Sequence, residues 1–260
     1  SMAKQLIDYA SERLEEEIFI TPQEAERGVT PRTLLIIVDT HIEHSLESPQ
    51  LYEKCRRVIV IDHHRKAVNY INNALVFCHE PSASSASEMC SEIISCLDDS
   101  PLGYVQADAL LSGIMLDTKN FVLKTGVRTF EAAAYLRKKG ANTLTVKEMF
   151  SGSIETYREK VDIVCSSQVY RGCAISFSKH SSADVRLAAA QAADEMLTLK
   201  GISASFVIFN DNDKINISAR SYGRVNVQII MEKLGGGGHQ TMAATQLEKN
   251  AKDKVYHLLV

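Results

Sequence analysis

Two short aliphatic runs, Leu34-Leu35-Ile36-Ile37-Val38 and Val58-Ile59-Val60-Ile61, each end on an aspartate, and the second continues through Asp62 into His63-His64. Both are strand-length and far short of the ~18 apolar residues that a membrane span needs. A polar stretch holding Leu51 to Lys54 separates them, so the order strand, helix, strand predicts a parallel α/β sheet. Open sheets of this kind bind ligands outside the carboxyl ends of their strands. Asp39, Asp62 and the histidine pair therefore fall where chemistry is expected.

At 260 residues and 45% hydrophobic content the chain is large enough for two cores, and two domains are expected, residues 1–168 and 169–260. Ala3 to Glu16 reads as an amphipathic helix, and Thr21-Pro22-Gln23-Glu24 as a capping box that opens a short one. A weaker strand is expected at Leu75-Val76-Phe77. Ser85-Ala86-Ser87-Glu88 is a second capping box, heading a helix through Leu97. Further helices are expected at Ala107–Leu116, ending at Asp117, at Phe130–Lys139, stopped by Gly140, and at Ile154–Val164.

From Gly172 the rhythm changes. A strand at Gly172–Phe177 precedes an alanine-rich helix at Ala183–Leu199, then a hairpin of Ala204–Phe209 and Lys214–Ser218 across Asp211-Asn212-Asp213. Asp and Asn are the expected turn residues there, so this acidic triplet is assigned to the turn rather than to a metal. A helix at Asn226–Leu234 leads into Gly235-Gly236-Gly237-Gly238-His239, and a last helix starts at Ala251.

A formal net charge of -3 provides no general basic field, so long nucleic acid is disfavoured, and a phosphate-bearing partner must be held by a local cluster or by metal ions. Six cysteines without a Cys-x-x-Cys pair, and no signal-peptide pattern, suit reduced thiols in a cytoplasmic setting.

Asp39, His63 and Asp117 form a set of two oxygen donors and one nitrogen donor at element ends, which suits Mn²⁺ and similar ions. Neighbouring strand residues point to opposite faces, so one histidine of the pair, His63, is expected to bind metal while His64 faces substrate and Asp62 orients an imidazole. Ser84 and Ser85, at a helix start, offer a phosphate site or simply a cap. Gly236, Gly237 and Gly238, followed by His239, would let backbone amides approach a ligand closely, and Arg220 would supply a forked donor. His41, His44, His79 and Glu80 receive no role, although His41 lies close enough to Asp39 to reach the site.

Val38-Asp39-Thr40-His41, Ile61-Asp62-His63-His64-Arg65, Glu80 through Ser85, Gly113-Ile114-Met115-Leu116-Asp117-Thr118-Lys119-Asn120-Phe121 and the glycine run with His239 occur in an order that resembles the DHH phosphoesterase family. Ile217 to Ser221 and Asn226 to Met231 resemble the DHH-associated domain of GdpP-type bacterial cyclic-di-AMP phosphodiesterases. The resemblance implies an α/β parallel-sheet DHH domain followed by a smaller α/β DHH-associated domain that holds substrate across a cleft. It implies two Mn²⁺ ions, with Asp39 bridging them, His63 and Asp117 as ligands of one, and Arg220, the glycines and His239 on substrate phosphate or base. The implied reaction is hydrolysis of cyclic-di-AMP to linear pApA by a metal-activated water.

The family also has a first-strand motif, His-x-x-x-Asp-x-Asp, that supplies three further ligands and has no counterpart before Asp39. The chain is accordingly expected to be a DHH domain truncated at its first strand, part of a longer, membrane-anchored parent. It is expected to bind metal weakly, to turn over slowly, and to pair its open sheet with another copy as a homodimer. A short-oligonucleotide or pAp phosphatase of the same family and a catalytically inert nucleotide-binding module remain alternatives.

Overall fold

Residues 2–97, 102–211 and 214–248 are described by the computed structural model, which divides into two packing units, Ser1–Ser151 and Gly152–Val260. The first unit contains α1 (Met2–Ser11), α2 (Pro22–Arg27), β1 (Leu34–Val38), α3 (Pro49–Lys54), β2 (Arg57–Asp62), β3 (Val76–His79), α4 (Ala86–Ser95), α5 (Tyr104–Asp117), α6 (Val127–Lys138) and α7 (Thr143–Met149). The second contains α8 (Ile154–Cys165), β4 (Gln168–Tyr170), β5 (Cys173–Phe177), α9 (Val185–Met196), β6 (Ala204–Asp211), β7 (Lys214–Ser221), α10 (Val227–Lys233), β8 (Gly237–Gly238) and β9 (Met242–Glu248). The expected helix from Ala251 and the turn residues Asn212 and Asp213 lie outside the described residues. Among the described residues no helix is long and apolar enough to cross a membrane.

In the first unit β1, β2 and β3 form a parallel sheet in that order. Val58 and Val60 of β2 pack with Ile37 and Ile71 on one face, while Ile61 packs with Ala83 and Met89 on the other. The central strand is thus buried on both sides, as parallel sheets require. β1 is an edge strand, and its alternate residues Leu34, Ile36 and Val38 are exposed. Helices α5, α6 and α7 build a separate helical core around Leu111, Ile114 and Leu136. α1 ends at Ser11, short of the Glu16 expected from periodicity. The Thr21–Glu24 capping box is formed in both directions.

In the second unit six strands are ordered β4-β5-β6-β7-β9-β8, with β5 and β6 parallel and the others antiparallel. Phe206 and Ile208 of β6 face Val227 and Met231 of α10, while Val207 and Phe209 face α9. Ala188, Ala189, Ala192 and Ala193 are fully buried on that side, and such small side chains let the α9 backbone lie close to the sheet. Ile163 of α8 joins the same cluster, so α8 packs with the second unit. The packing units divide at 151/152, and helical periodicity marks α8 without saying which core its apolar stripe covers.

Candidate metal centre

Val38 of β1 lies opposite Ile61 of β2, so the residues that follow the two strands emerge side by side at one sheet edge. The Asp39 N–H still donates to the Ile61 carbonyl at 3.0 Å, but the Asp39 backbone turns left-handed, with φ 64°. Aspartate tolerates that conformation better than most residues, and the turn ends the strand there. Asp117 is the last residue of α5. That helix lies so close to α4 that a Cβ on Gly113 would sit 2.1 Å from Ser87 Oγ. The glycine permits the approach that carries Asp117 to the strand edge.

Three side chains from three elements meet there. His63 Nε2 is 3.4 Å from Asp39 Oδ1 and 3.6 Å from Asp117 Oδ2. His63 Nδ1 donates to the Ala83 carbonyl at 3.2 Å, which places the ring proton on Nδ1 and leaves the Nε2 lone pair toward the two carboxylates. Separations of 3.4 and 3.6 Å are long for hydrogen bonds. Ligand atoms about 2.1 Å from a common ion sit roughly 3.0 Å apart on an octahedron and about 3.4 Å on a tetrahedron. The His63–Asp39 and His63–Asp117 separations are each of the size expected between ligands of one divalent cation, while the compact group of possible ligand atoms does not include Asp117. His64 Nδ1 is 3.8 Å from Asp39 Oδ1, and Asp39, His63 and His64 form a compact group of possible ligands.

Electrostatics agree with the geometry. Burial, followed by the nearby Asp39 charge, pushes the Asp117 carboxyl above its ordinary range, with His63, His64 and Lys124 opposing. Two carboxylates held close repel, and a cation relieves both. Asp62 is fully buried; burial alone would raise its carboxyl, but hydrogen bonds from His64 and His41 prevail and hold it well below the ordinary range. The Asp62 hydrogen bond raises His64 in turn, against the effect of burial.

Asp62 takes the supporting role expected of it, accepting from His64 Nδ1 at 2.8 Å and from the His64 N–H at 3.2 Å. His41 and His79, to which the sequence assigned nothing, belong to the same framework. His41 is 1% exposed, donates Nδ1–H to Asp62 and accepts the Ala67 N–H on Nε2 at 2.9 Å. His79 Nε2 donates to the His64 carbonyl at 2.6 Å. The position of His41, two residues past the strand-end Asp39, was the available signal.

Ser84 and Ser85 lie at the N-terminus of α4. Each is 1% exposed; Ser85 Oγ accepts the Glu88 N–H as N-cap of α4, and Ser84 donates its hydroxyl to the Glu88 carboxylate. The capping alternative is formed at the helix start, with the Ser84 hydroxyl donating to Glu88 and Ser85 Oγ accepting from it. Glu88 also receives the Ser84 N–H, one residue before the position that a standard capping box would use.

In the second unit Arg220 lies within β7 rather than after it. It is 9% exposed, with Nε on Asp194 Oδ1 at 3.1 Å and one terminal nitrogen on the Ala219 carbonyl at 3.0 Å. Two of its guanidinium nitrogens are thus held by the protein. The glycine run is divided among separate tasks. Gly235, with φ 79°, ends α10: the Gly236 N–H bonds the Met231 carbonyl and the Gly235 N–H the Glu232 carbonyl, a Schellman terminus. A Cβ on Gly236 would lie 2.2 Å from the Ala244 carbonyl, and one on Gly238 2.5 Å from Ala243 Cα, so both are required for the approach to β9. Gly237 and Gly238 form the edge strand β8, and His239 is exposed in the turn that follows.

Residues 2–114 match the model of the DHH family, N-terminal domain, and residues 174–259 match that of the DHHA1 domain. The chain is 44% identical over 232 residues to cyclic-di-AMP phosphodiesterase PdeA of Listeria monocytogenes, a match covering 88% of this chain and 35% of that protein. It is 41% identical over 237 residues to cyclic-di-AMP phosphodiesterase GdpP of Bacillus subtilis, covering 88% of this chain and 36% of that protein. It thus spans about a third of the length of these relatives. Among solved structures, an exopolyphosphatase-related protein from Bacteroides fragilis shares the fold, with TM-score 0.74 at 18% identity over 86% of this chain and 70% of that one.

Proposed function

Because the chain belongs to the DHH family, with a DHH N-terminal domain followed by a DHHA1 domain, we propose that it is the hydrolase region of a metal-dependent phosphodiesterase that opens cyclic-di-AMP to linear pApA. The supporting observation is the convergence of Asp39, His63 and Asp117, with the Nε2 lone pair of His63 directed at both carboxylates by the Ala83 carbonyl. The similarity to phosphodiesterases at 44% and 41% identity supports the substrate class.

In this reading Asp39, His63 and Asp117 hold divalent cations, manganese by the mixed oxygen and nitrogen donor set. Bound cations supply Lewis-acid stabilisation of charge at phosphorus and lower the pKa of water. The remaining work belongs to side chains. Asp39 follows β1, beside the end of β2, and would hold metal through its carboxylate. His64, held by Asp62 from behind, offers a hydrogen bond to a phosphate oxygen. Within the second unit taken by itself, His239 and the β8 edge at Gly237 and Gly238 are the candidate contacts for a phosphate or base. Arg220 and Gly236 keep the structural tasks described above.

Among the described residues the donors that converge on His63 are few for two ions, which supports slow turnover by this chain alone. The test is incubation of the chain with Mn²⁺ and cyclic-di-AMP, with chromatographic identification of the product. Appearance of pApA, abolished by chelator and by Asp39→Asn, is the expected result. Preferential release of phosphate from pAp would instead favour a short-oligonucleotide or pAp phosphatase. Nucleotide binding that survives chelation, without any product, would mark a binding module.

A further inference from the structure

We propose that His41 is a positioning residue: a buried bolt that fixes the loop after Asp62-His63-His64 and, through Asp62, sets the ring orientation of His64. The inference rests on the hydrolase reading only for the use made of His64; the bolt itself stands on hydrogen-bond geometry.

His41 follows β1, whereas the loop it holds follows β2. Two bonds join His41 to that loop and a third joins it to Asp62 at the end of β2. The ring donates Nδ1–H to Asp62 Oδ2, Nε2 accepts the Ala67 N–H at 2.9 Å, and the His41 carbonyl accepts the Ile71 N–H at 2.9 Å. An amide N–H only donates, so the Ala67 contact requires an unprotonated Nε2 and keeps the ring proton on Nδ1. That proton occupies Asp62 Oδ2 and leaves Oδ1 for His64, which gives it both its backbone N–H and its Nδ1–H. One backbone amide thereby sets the direction of both His41 ring bonds, and the Asp62 carboxylate, an acceptor only, sets those from His64. His79, packed edge-on against the His41 ring with centroids 5.3 Å apart, donates to the His64 carbonyl and holds the same residue from the other side.

A merely space-filling histidine would need neither ring nitrogen matched. Here both are matched in a site that is 1% exposed, where an unsatisfied polar group is costly. The relay leaves His63 untouched, since that ring is fixed separately by Ala83. His41 is therefore expected to govern His64 without governing metal affinity.

Two substitutions separate the ring nitrogens. His41→Asn keeps an amide N–H at the covalent position of Nδ1 and loses the Nε2 acceptor. His41→Gln reaches the Nε2 position and loses the donor to Asp62. In ¹⁵N–¹H spectra of the metal-free protein the expected result is a hydrogen-bonded His64 Nδ1–H resonance that persists in His41→Asn and disappears in His41→Gln. The Mn²⁺ dissociation constant should stay within about threefold in both variants. With Mn²⁺ and cyclic-di-AMP, kcat should fall about tenfold or more in His41→Gln at nearly constant KM, and His41→Asn should retain most of it.

A His64 resonance unchanged in folded His41→Gln would overturn the proposal, as would its loss in folded His41→Asn. If His41→Gln does not fold, the His41→Asn spectrum decides. Absence of turnover in the unsubstituted chain counts against the hydrolase reading alone, because the spectra still decide the role of His41.

Discussion

The Ala83 carbonyl accepts the Nδ1–H of His63 at 3.2 Å, and this bond from a loop residue decides which ring nitrogen faces Asp39 and Asp117. A carbonyl cannot donate, so the proton lies on Nδ1 and the Nε2 lone pair faces the two carboxylates. His64, the next residue, has its Nδ1 engaged by Asp62 instead. Adjacent histidines thus face different tasks because their backs rest on different acceptors.

Metal affinity should distinguish the two. His63→Ala is expected to weaken Mn²⁺ binding by about 100-fold or more, and His64→Ala by no more than about threefold. Isothermal titration of each variant measures this. Equal losses would show that His64 is also a ligand.

The Asp62–His64 pair predicts a stability window. The Asp62 carboxyl is depressed in the fold, so its contribution is present above the unfolded value of about 3.9 and is lost as pH falls through the folded value. His64 is raised, so its contribution is complete below about 6.5 and fades as pH rises through the folded value. The thermal stability of the native chain over Asp62→Asn, measured in chelator, should peak between about pH 4 and 6.5 and narrow on both sides. A gap that widened steadily to pH 9 would contradict the pairing.

The glycine run should be unequal position by position. Gly236→Ala and Gly238→Ala drive a methyl group into β9 and should each cost about 1–3 kcal/mol. Gly237→Ala meets nothing within 4 Å and should stay within about 0.5–1 kcal/mol of the native chain. Chemical denaturation curves report the order.

Gly113→Ala tests how α5 is placed. Helix propensity alone would favour alanine by about 1 kcal/mol, yet the new methyl group would meet Ser87. The expected outcome is weaker Mn²⁺ binding through displacement of Asp117, with recovery in the Gly113→Ala/Ser87→Gly double variant. A single variant that binds metal normally would show that α4 yields without moving α5.

Much of this protein was legible in local chemistry. Unbroken aliphatic runs specified strands, their terminal aspartates specified a sheet edge, and Thr21, Ser85 and Asn226 marked helix starts that the structure confirms. Alternation in 204–209 and 214–218 specified the hairpin, although both strands run further, carrying Arg220 into the sheet. These features depend on neighbours in the chain, so sequence suffices for them.

Tertiary structure alone decided the rest, because a hydrogen bond or a packing contact between distant segments leaves no periodic trace. Nothing around Ser84 and Ser85 announces that Glu88 will consume one hydroxyl, nor does the run of glycines say which of them must lie against Ala243 and Ala244. His41 had the appearance of an unassigned polar residue until folding placed Ala67 and Asp62 at its two ring nitrogens. The sequence supplied the donors of the candidate metal centre, and the fold determined their directions, since an imidazole acts as ligand, brace or hydrogen-bond donor according to what lies behind it.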